Sequence, residues 1–317
     1  MNRISIIMYH YVRNLKDSPY PQIKGLDLSL FKQQIEFLKN KFNIISCDEL
    51  LSATRNEIEL PNNSVLLTFD DGYIDHYTNV YPVLLENKIQ AFFSMPGKIL
   101  EEKKILDVNK IHFILASTTV EEILKEVIIQ LDFYRGKEFD IPSNKKLIEK
   151  LAVTSRFDRK EVIFIKRLLQ VELPERLRSL IINNLFEKYI GINENEFCKG
   201  LYMNHNQIKC MKDNGMVFGI HGYDHKWMNQ MNQEELEIDI TKALDCFSDI
   251  IDKNNWVMCY PFGSYSDAVI DIAKKHGCKY GLSTDVRVAD LKKDNIFCLP
   301  RLDTNDFPPK SDNYINL

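Results

Sequence analysis

Long apolar runs are missing from this sequence. Nowhere do about 18 consecutive hydrophobic residues occur, which is the length that a membrane-spanning helix needs. The first apolar stretch, in MNRISIIMYHYVRN, is only a few residues long and runs into Tyr9 and His10, too short for the apolar core of a signal peptide. We therefore predict a cytoplasmic chain without a membrane span.

Three further absences exclude whole classes of function. The net charge is only -4, so there is no general attraction to nucleic acid, and we expect no nucleic-acid partner. The seven cysteines are scattered and odd in number, and no CxxC pair occurs, which argues against a disulfide framework and a cysteine zinc site. Neither GxxxxGK[ST] nor GxGxxG is present, so nucleotide-dependent chemistry has no support.

Short apolar runs alternate with helical patterns along most of the chain, which indicates an α/β fold with parallel strands. The predicted strands are residues 4–9, 64–69, 90–95, 216–220 and 256–260, and the predicted helices are about 29–41, 75–88, 204–214, 232–252 and 265–276. Residues 101–200 differ, because glycine is nearly absent there and apolar residues recur at helical spacing. We interpret that stretch as a helical insertion.

Polar or turn-forming residues follow four of the five predicted strands. His10 ends the first, Asp70 and Asp71 the second, His221 the fourth, and Tyr260-Pro261-Phe262 the fifth. Because functional groups gather at the carboxyl ends of parallel strands, we expect these side chains to meet.

The histidines and aspartates at these strand ends are candidate metal ligands. His221 and His225 are four residues apart, which on a helical turn places both imidazoles on one side. Two histidines and one carboxylate leave open positions on zinc or a similar ion for water and substrate. One aspartate of the DDG triplet would then bind the metal and the other would act as a general base. Without a metal, DDG is typical of an acidic turn or helix cap, and the histidines of ordinary surface or core positions.

The motifs TFDDGY (68–73), HGYDH (221–225) and YPFGSYS (260–266) together resemble those of polysaccharide deacetylases with a NodB homology domain, carbohydrate esterase family 4. The resemblance implies a deformed (β/α) barrel built from residues 1–100 and 201–317 and interrupted by the helical insertion 101–200. It implies Asp70 as catalytic base and Asp71, His221 and His225 as ligands of a divalent metal. Zinc is the expected metal, with nickel, cobalt or manganese as alternatives.

The chain also departs from that family pattern. Gly222 stands where the family has Ser or Thr, and the arginine of the third motif would fall at Cys259. Arg301 in LPRLD could replace that arginine from another strand end, or it could be an ordinary surface residue. The family's late catalytic histidine has no match, but His10 in IIMYHYV resembles the early histidine of the permuted subgroup that modifies exopolysaccharides, such as the biofilm poly-N-acetylglucosamine deacetylases. We therefore expect His10 to be the catalytic acid.

The resemblance implies a metal-dependent hydrolase that removes the N-acetyl group from an amino sugar of a polysaccharide or of its carrier-linked precursor. Tyr260, Pro261, Phe262 and Arg301 would bind the N-acetylated sugar, and Trp227 could add an aromatic surface. Alternatives are a catalytically impaired metal- or carbohydrate-binding protein, a hydrolase of another small amide, and a structural protein. The insertion could cover the site, set substrate size or form a homo-oligomer.

Overall fold

The computed structural model describes residues 3–317, and strands and helices alternate through most of them. The strands are β1 (Arg3–Tyr9), β2 (Val12–Arg13), β3 (Leu26–Asp27), β4 (Asn43–Ile44), β5 (Ser64–Phe69), β6 (Phe92–Met95), β7 (Val217–Ile220), β8 (Trp256–Cys259), β9 (Cys278–Leu282), β10 (Ala289–Asp290) and β11 (Leu302–Asp303). The helices are α1 (Leu28–Lys41), α2 (Cys47–Thr54), α3 (Tyr81–Glu86), α4 (Lys98–Glu101), α5 (Asp107–Ser117), α6 (Val120–Tyr134), α7 (Asn144–Leu151), α8 (Lys160–Arg167), α9 (Glu175–Tyr189), α10 (Glu194–Leu201), α11 (His205–Asp213), α12 (Gln233–Cys246) and α13 (Asp267–Lys275). The α/β prediction and its five strands are confirmed.

The principal sheet has the strand order β10-β1-β5-β6-β7-β8-β9, with β11 also pairing with β1 and β4 with β5. Every neighbouring pair is parallel except β1 and β10. Parallel neighbours need crossover connections, and the helices between the strands provide them. The carboxyl ends of β1 and β5 to β9 consequently share one edge.

The sheet curls around its own apolar side chains. Ile6 of β1, Leu66 of β5, Val257 of β8 and Tyr280 of β9 belong to one buried cluster, although β1 and β9 stand far apart in the strand order. Leu50 of α2 joins them. Since successive side chains of a strand point to opposite faces, the even-numbered residues of β1, β5 and β6 face this interior, as do the odd-numbered residues of β7 and β8.

Residues 299–303 connect β9, at one end of the strand order, with β1 near the other end. Leu299 forms a parallel bridge with Leu282 of β9, and β11 then pairs with Ile7 and Met8 of β1. Arg301 lies between these two pairings. A residue near the carboxyl end of the described chain is thereby carried to the edge where β1 and β5 end.

Gln34 of α1 holds the segment after β11 against β1. Its side-chain oxygen accepts hydrogen bonds from the Tyr9 hydroxyl (2.6 Å) and the Thr304 hydroxyl (2.7 Å). Its side-chain nitrogen donates to the carbonyls of Thr304 and Pro308, both at 3.0 Å. The side chain has no solvent exposure, so these protein groups supply the hydrogen bonds that water would otherwise make.

The chain forms two compact units. The first consists of the segment that ends at Asn14 together with Gly25–Lys104 and Cys198–Leu317, and it contains the principal sheet. The second consists of Leu15–Lys24 and Ile105–Phe197, and its long segment is helical, as we predict for residues 101–200. The assignment of 1–100 and 201–317 to one deacetylase domain stays a prediction.

Within the part of the chain that the structure describes, no helix has both the length and the apolar character needed to traverse a lipid bilayer.

Candidate active site

The aspartate pair follows β5 in a tight turn. Asp70 lies beyond the last residue of the strand, and Asp71 and Gly72 both have left-handed backbones, with φ of 76° and 70°. A Cβ at position 72 would lie 2.9 Å from Ile99 Cδ1, the movable end of a side chain, so it is the backbone conformation and not the space that favours glycine here. A left-handed aspartate is uncommon, and such strain concentrates at functional sites.

The two candidate histidines lie in a loop after β7. Our interpretation of HGYDH as a helical turn is wrong, because no helix covers residues 221–225. Left-handed backbones at Gly222 (φ 66°) and His225 (φ 51°) reverse the chain instead. Asp239 of α12 fixes the loop by accepting the backbone N–H groups of Tyr223 (2.9 Å) and Asp224 (3.4 Å).

Asp71, His221 and His225 converge on one point. Oδ1 of Asp71 lies 3.4 Å from Nε2 of His221 and 3.3 Å from Nε2 of His225. Ligand atoms about 3.3–3.4 Å apart match the edge of a tetrahedron whose metal–ligand distances are roughly 2.0–2.1 Å. All three residues are buried. The spacing therefore fits two imidazoles and one carboxylate oxygen that share a single divalent ion.

The hydrogen-bond partners of Asp71 and His221 direct the remaining ligand atoms of these two side chains toward that point. The Tyr73 hydroxyl donates to Oδ2 of Asp71, whereas the buried Oδ1 has no hydrogen-bond donor among the described residues. Nδ1–H of His221 donates to the carbonyl of Cys259 at 2.7 Å, which leaves the Nε2 lone pair for a metal. A buried carboxylate oxygen without a donor is costly unless a cation binds it, so the donor set fits a divalent metal.

Asp70, in contrast, is occupied by hydrogen bonds that keep it away from the metal position. Arg301 donates from Nη1 to Oδ1 (3.0 Å) and from Nη2 to Oδ2 (2.7 Å). Ser94 (2.7 Å) and the Cys259 thiol (3.3 Å) also donate to Oδ1. Among the described residues, Oδ2 accepts only from Arg301, which leaves it an acceptor position for a water proton.

The charge of Arg301 keeps Asp70 ionised. Burial alone would raise the pKa of Asp70, but the charge and the hydrogen bonds of Arg301 outweigh it and hold the pKa well below its usual value. Arg301 itself is 1% exposed and also donates to the Ser283 carbonyl (2.8 Å) and the Thr68 hydroxyl (3.1 Å). Asp70 is therefore an ionised carboxylate at neutral pH and is held in one orientation.

A second group, Asp70, His221 and Cys259, also has its ligand atoms within 4.8 Å of one another. It is the poorer metal site, since Oδ1 of Asp70 already accepts from three donors and Nδ1 of His221 donates to a carbonyl. The Asp71 group keeps its metal-facing atoms free of hydrogen bonds.

His10 lies at the same edge of the sheet. The N–H of Asp70 donates to the carbonyl of Tyr9 at 2.9 Å, so His10 follows directly beside the aspartate pair. His10 is half-buried, whereas both aspartates are buried. Its charge contributes to lowering the pKa of Asp70 and Asp71. His10 therefore lies beside both candidate aspartates, and its role as the catalytic acid stays a prediction.

The residues expected to bind the sugar do not all reach the surface. Tyr260 is completely buried, because it faces away from the interior that Cys259 occupies, and its hydroxyl donates to the carbonyl of Phe297 at 2.7 Å. Pro261 is buried too. Burial of Tyr260, Pro261 and Arg301 limits direct contact of their side chains with a sugar, and the substrate-binding role of these residues stays a prediction.

Phe262 remains available at the site. It is half-buried, has a left-handed backbone (φ 58°) and stacks on the half-buried Trp227, with ring centroids 4.8 Å apart. Its ring also meets His225 edge to face, with centroids 4.6 Å apart. Phe262 and Trp227 thus form an aromatic pair next to His225, a candidate metal ligand.

Several residues of the site escape prediction from the sequence. Ser94 donates a hydrogen bond to Asp70, and Tyr73 donates one to Asp71. His76 lies in a helical sequence pattern that predicts an ordinary helix position, but its side chain is completely buried beside His10. Strand alternation could have found Ser94, because it points to the same side as Phe92. Nothing local distinguishes His76 from other residues of the predicted helix 75–88, and Tyr73 carries no local sign of its bond to Asp71 although it closes the TFDDGY motif.

The sequence matches the family profile described as "Polysaccharide deacetylase" over residues 57–128 and 184–281, which is more than half of the chain. Poly-beta-1,6-N-acetyl-D-glucosamine N-deacetylase of Escherichia coli (strain K12) is 34% identical over 73 residues, 22% of this chain. The chain spans only 11% of the length of that relative.

Two solved structures share the fold over nearly the whole chain. Streptococcus pyogenes deacetylase PplD, in complex with acetate, has a TM-score of 0.61 at 18% identity, and IcaB from Ammonifex degensii has 0.57 at 16%. Each comparison covers 99% of this chain and 96% of the other. The NodB-type α/β fold is confirmed, and the chain belongs to the polysaccharide deacetylase family.

Proposed function

We propose that this chain is a metal-dependent hydrolase that removes the N-acetyl group from an amino sugar of a polysaccharide or of its carrier-linked precursor. The observation that carries the proposal is the pair of adjacent aspartates with opposite surroundings. Asp71 directs an oxygen without a donor toward two imidazoles, and Asp70 is held ionised by Arg301. A metal ligand and a general base placed side by side are what amide hydrolysis by water requires.

The metal is expected to be zinc, with nickel, cobalt or manganese as alternatives, held by Asp71, His221 and His225. Two carboxylates and one guanidinium leave one negative charge in excess around the buried centre, which favours a cation. When bound, such an ion supplies a Lewis acid that polarises the acetyl carbonyl and makes water more acidic.

The protein's own groups complete the reaction. Oδ2 of Asp70 accepts a proton from the attacking water, whose oxygen bonds to the acetyl carbon. The C–N bond then breaks, and the nitrogen takes a proton from His10, so that acetate and a free amino sugar are released. A backbone N–H near Phe262 would donate to the oxyanion, a contribution of about 3 kcal/mol per donor. Phe262 and Trp227 offer an aromatic surface for the sugar ring.

The test is an acetate-release assay on N-acetylated sugars that are free, polymeric or carrier-linked, using protein stripped with a chelator and then reloaded. We expect turnover with zinc, little after stripping, and recovery with the ion that the site prefers. Asp70→Asn should keep bound metal and lose turnover by roughly 10²-fold or more, because the base is removed. His221→Ala should lose both metal and turnover.

His205→Ala is the matched control, since His205 is an exposed histidine paired with Asp249. It should leave metal content and rate unchanged. Full activity of Asp70→Asn would contradict the role of the base, and full activity of the stripped enzyme would contradict metal dependence.

A further inference from the structure

The residues that follow β1 are fastened to the turn that follows the aspartate pair. We call residues 10–13 the acid segment and residues 75–79 the clamp. The clamp begins four residues after Asp71, and residues 76–80 form a single π-helical turn before α3. π-Helical turns are rare in proteins, and many of those that occur lie at functional sites.

His76 makes the first contact of the clamp. Its Nε2–H donates to the carbonyl of His10 at 3.0 Å. The ring has no solvent exposure and lies among the rings of Phe69, Tyr73 and Phe93, with centroids 5.5, 5.6 and 5.7 Å away. Phenylalanine would suit such an apolar pocket, and a polar ring is costly there unless it is hydrogen-bonded. The bond to His10 accounts for the histidine.

Asp75 and Asn79 hold the next residues of the acid segment. Asp75 accepts the N–H of Val12 at 3.2 Å and pairs with Arg13 through two hydrogen bonds of 2.7 and 2.9 Å. Asn79 donates to the carbonyl of Val12 at 2.8 Å. Both backbone groups of Val12 and the carbonyl of His10 are thus bound by one turn.

These contacts fix the proposed acid relative to the proposed metal ligand. The ladder between β1 and β5 stops at Tyr9 and Phe69, so it does not hold His10 itself. Beyond the end of this ladder, the clamp forms hydrogen bonds with three residues of the acid segment, His10, Val12 and Arg13. Only three residues separate the clamp from Asp71. A general acid needs placement of this kind, since an error of about 1 Å can cost on the order of 10²-fold in rate.

We propose that Asp75, His76 and Asn79 are positioning residues that hold His10 at the distance from the metal centre at which it can protonate the leaving group. This inference rests on the proposed function, because it takes His10 as the acid. It assigns a task to a buried histidine that the chemistry itself does not use.

The test compares two substrates that differ in their need for an acid. An N-acetylated sugar releases an amine that must be protonated as it leaves, whereas 4-nitrophenyl acetate releases a phenolate that leaves without a proton. Both use the same metal and base. A defect confined to the acid should therefore slow the amide and spare the ester, while loss of fold or metal should slow both.

His76→Phe fills the pocket but removes the donor. We expect kcat/KM for the amide to fall at least about 10-fold, which is less than the roughly 10²- to 10⁴-fold fall expected of His10→Ala for complete loss of the acid. The ester rate and the bound zinc should stay within about 2-fold of wild type. His76→Gln places an N–H near the position of Nε2 and should recover most of the amide rate. His205→Phe, the same change at an exposed histidine, is the control and should alter neither rate.

Equal loss of both rates in His76→Phe, with wild-type rates in the control, would overturn the inference, as would an amide rate equal to wild type. Should His76→Phe fail to fold, Asn79→Ala removes one hydrogen bond from a half-buried site and must show the same selective loss.

The ring NMR signals of His10, assigned with His10→Ala, give a readout that needs no turnover. We expect one set of signals in the wild type and in His76→Gln, and a shifted or doubled set in His76→Phe. Unchanged His10 signals in His76→Phe would overturn the inference even in an active deacetylase. A wild-type enzyme inactive on every sugar would instead overturn the proposed function, while these signals would still decide whether the clamp orients His10.

Discussion

Replacing Arg301 by methionine should destabilise the protein strongly and in a pH-dependent way. The guanidinium is completely buried and makes four hydrogen bonds, two of them to Asp70. Methionine has a comparable length but leaves the Asp70 carboxylate buried without its counter-charge. Removing one partner of a buried ion pair typically costs about 3–5 kcal/mol in the free energy of unfolding, and we expect a loss in that range at pH 8.

The dependence on pH follows from the direction of the shift. In the wild type the pKa of Asp70 lies below its unfolded value of about 3.9, so the ionised carboxylate contributes stability above that pH and loses it as the pH falls. In Arg301→Met, burial is no longer outweighed by the guanidinium, and the pKa of Asp70 rises. The folded variant then gains a proton on acidification that the unfolded chain does not bind, which stabilises it. The difference from wild type should therefore shrink between pH 8 and pH 5.

Urea unfolding of both proteins at pH 8 and pH 5 measures this difference. Arg287→Met is the matched control, because Arg287 pairs with Asp294 at the surface, and it should cost at most about 1 kcal/mol at either pH. The double variant Asp70→Asn/Arg301→Met should recover at least 1 kcal/mol of the loss, since the unpaired charge is gone. A loss below 1 kcal/mol in Arg301→Met, or one independent of pH, would refute the reasoning.

Two further changes test the surroundings of the site. Gly222→Ser should weaken zinc binding in a chelator competition and lower the free energy of unfolding by about 1–3 kcal/mol. A serine with a left-handed backbone is strained, and its Cβ would lie 3.0 Å from Asp239 Oδ1. An unchanged zinc affinity would show that the loop tolerates the family's usual residue. Gln34→Leu should cost about 3 kcal/mol in urea unfolding, since the Tyr9 hydroxyl and two carbonyls lose their partners without access to water; a cost near that of the exposed change Gln233→Leu would contradict this.

Strand alternation and abrupt polar strand ends made much of this arrangement predictable. His10, Asp70 and His221 stand where apolar runs stop, so the sequence alone indicates that they share an edge. The two-residue strand β11 and the path of residues 299–303 carry no such signal. Whether Arg301 faced solvent or Asp70 depended on a contact across 231 positions, which no local pattern encodes.

Backbone conformation was the second feature of the site that the sequence could not predict. The spacing of His221 and His225 suits a helical turn as well as a loop, and only left-handed residues decide for the loop. Three residues that are not glycine adopt the left-handed conformation, so their identity does not predict it: Asp71, His225 and Phe262. The exposure of Phe262 and the burial of Tyr260 also follow from where β8 ends, which sequence patterns locate only to within a few residues.

Because residues 299–303 pair with both β9 and β1, the proposed catalytic activity depends on contacts that only the folded chain makes. Hydrogen-bond partners of Asp70, the proposed base, come from β6, β8 and residues 299–303, so no single hairpin contains the whole arrangement. Contacts this distant along the chain form slowly. A refolding chain should therefore acquire hydrolytic activity only after all of these distant segments have paired, so the return of activity reports completed folding and not a partly folded state.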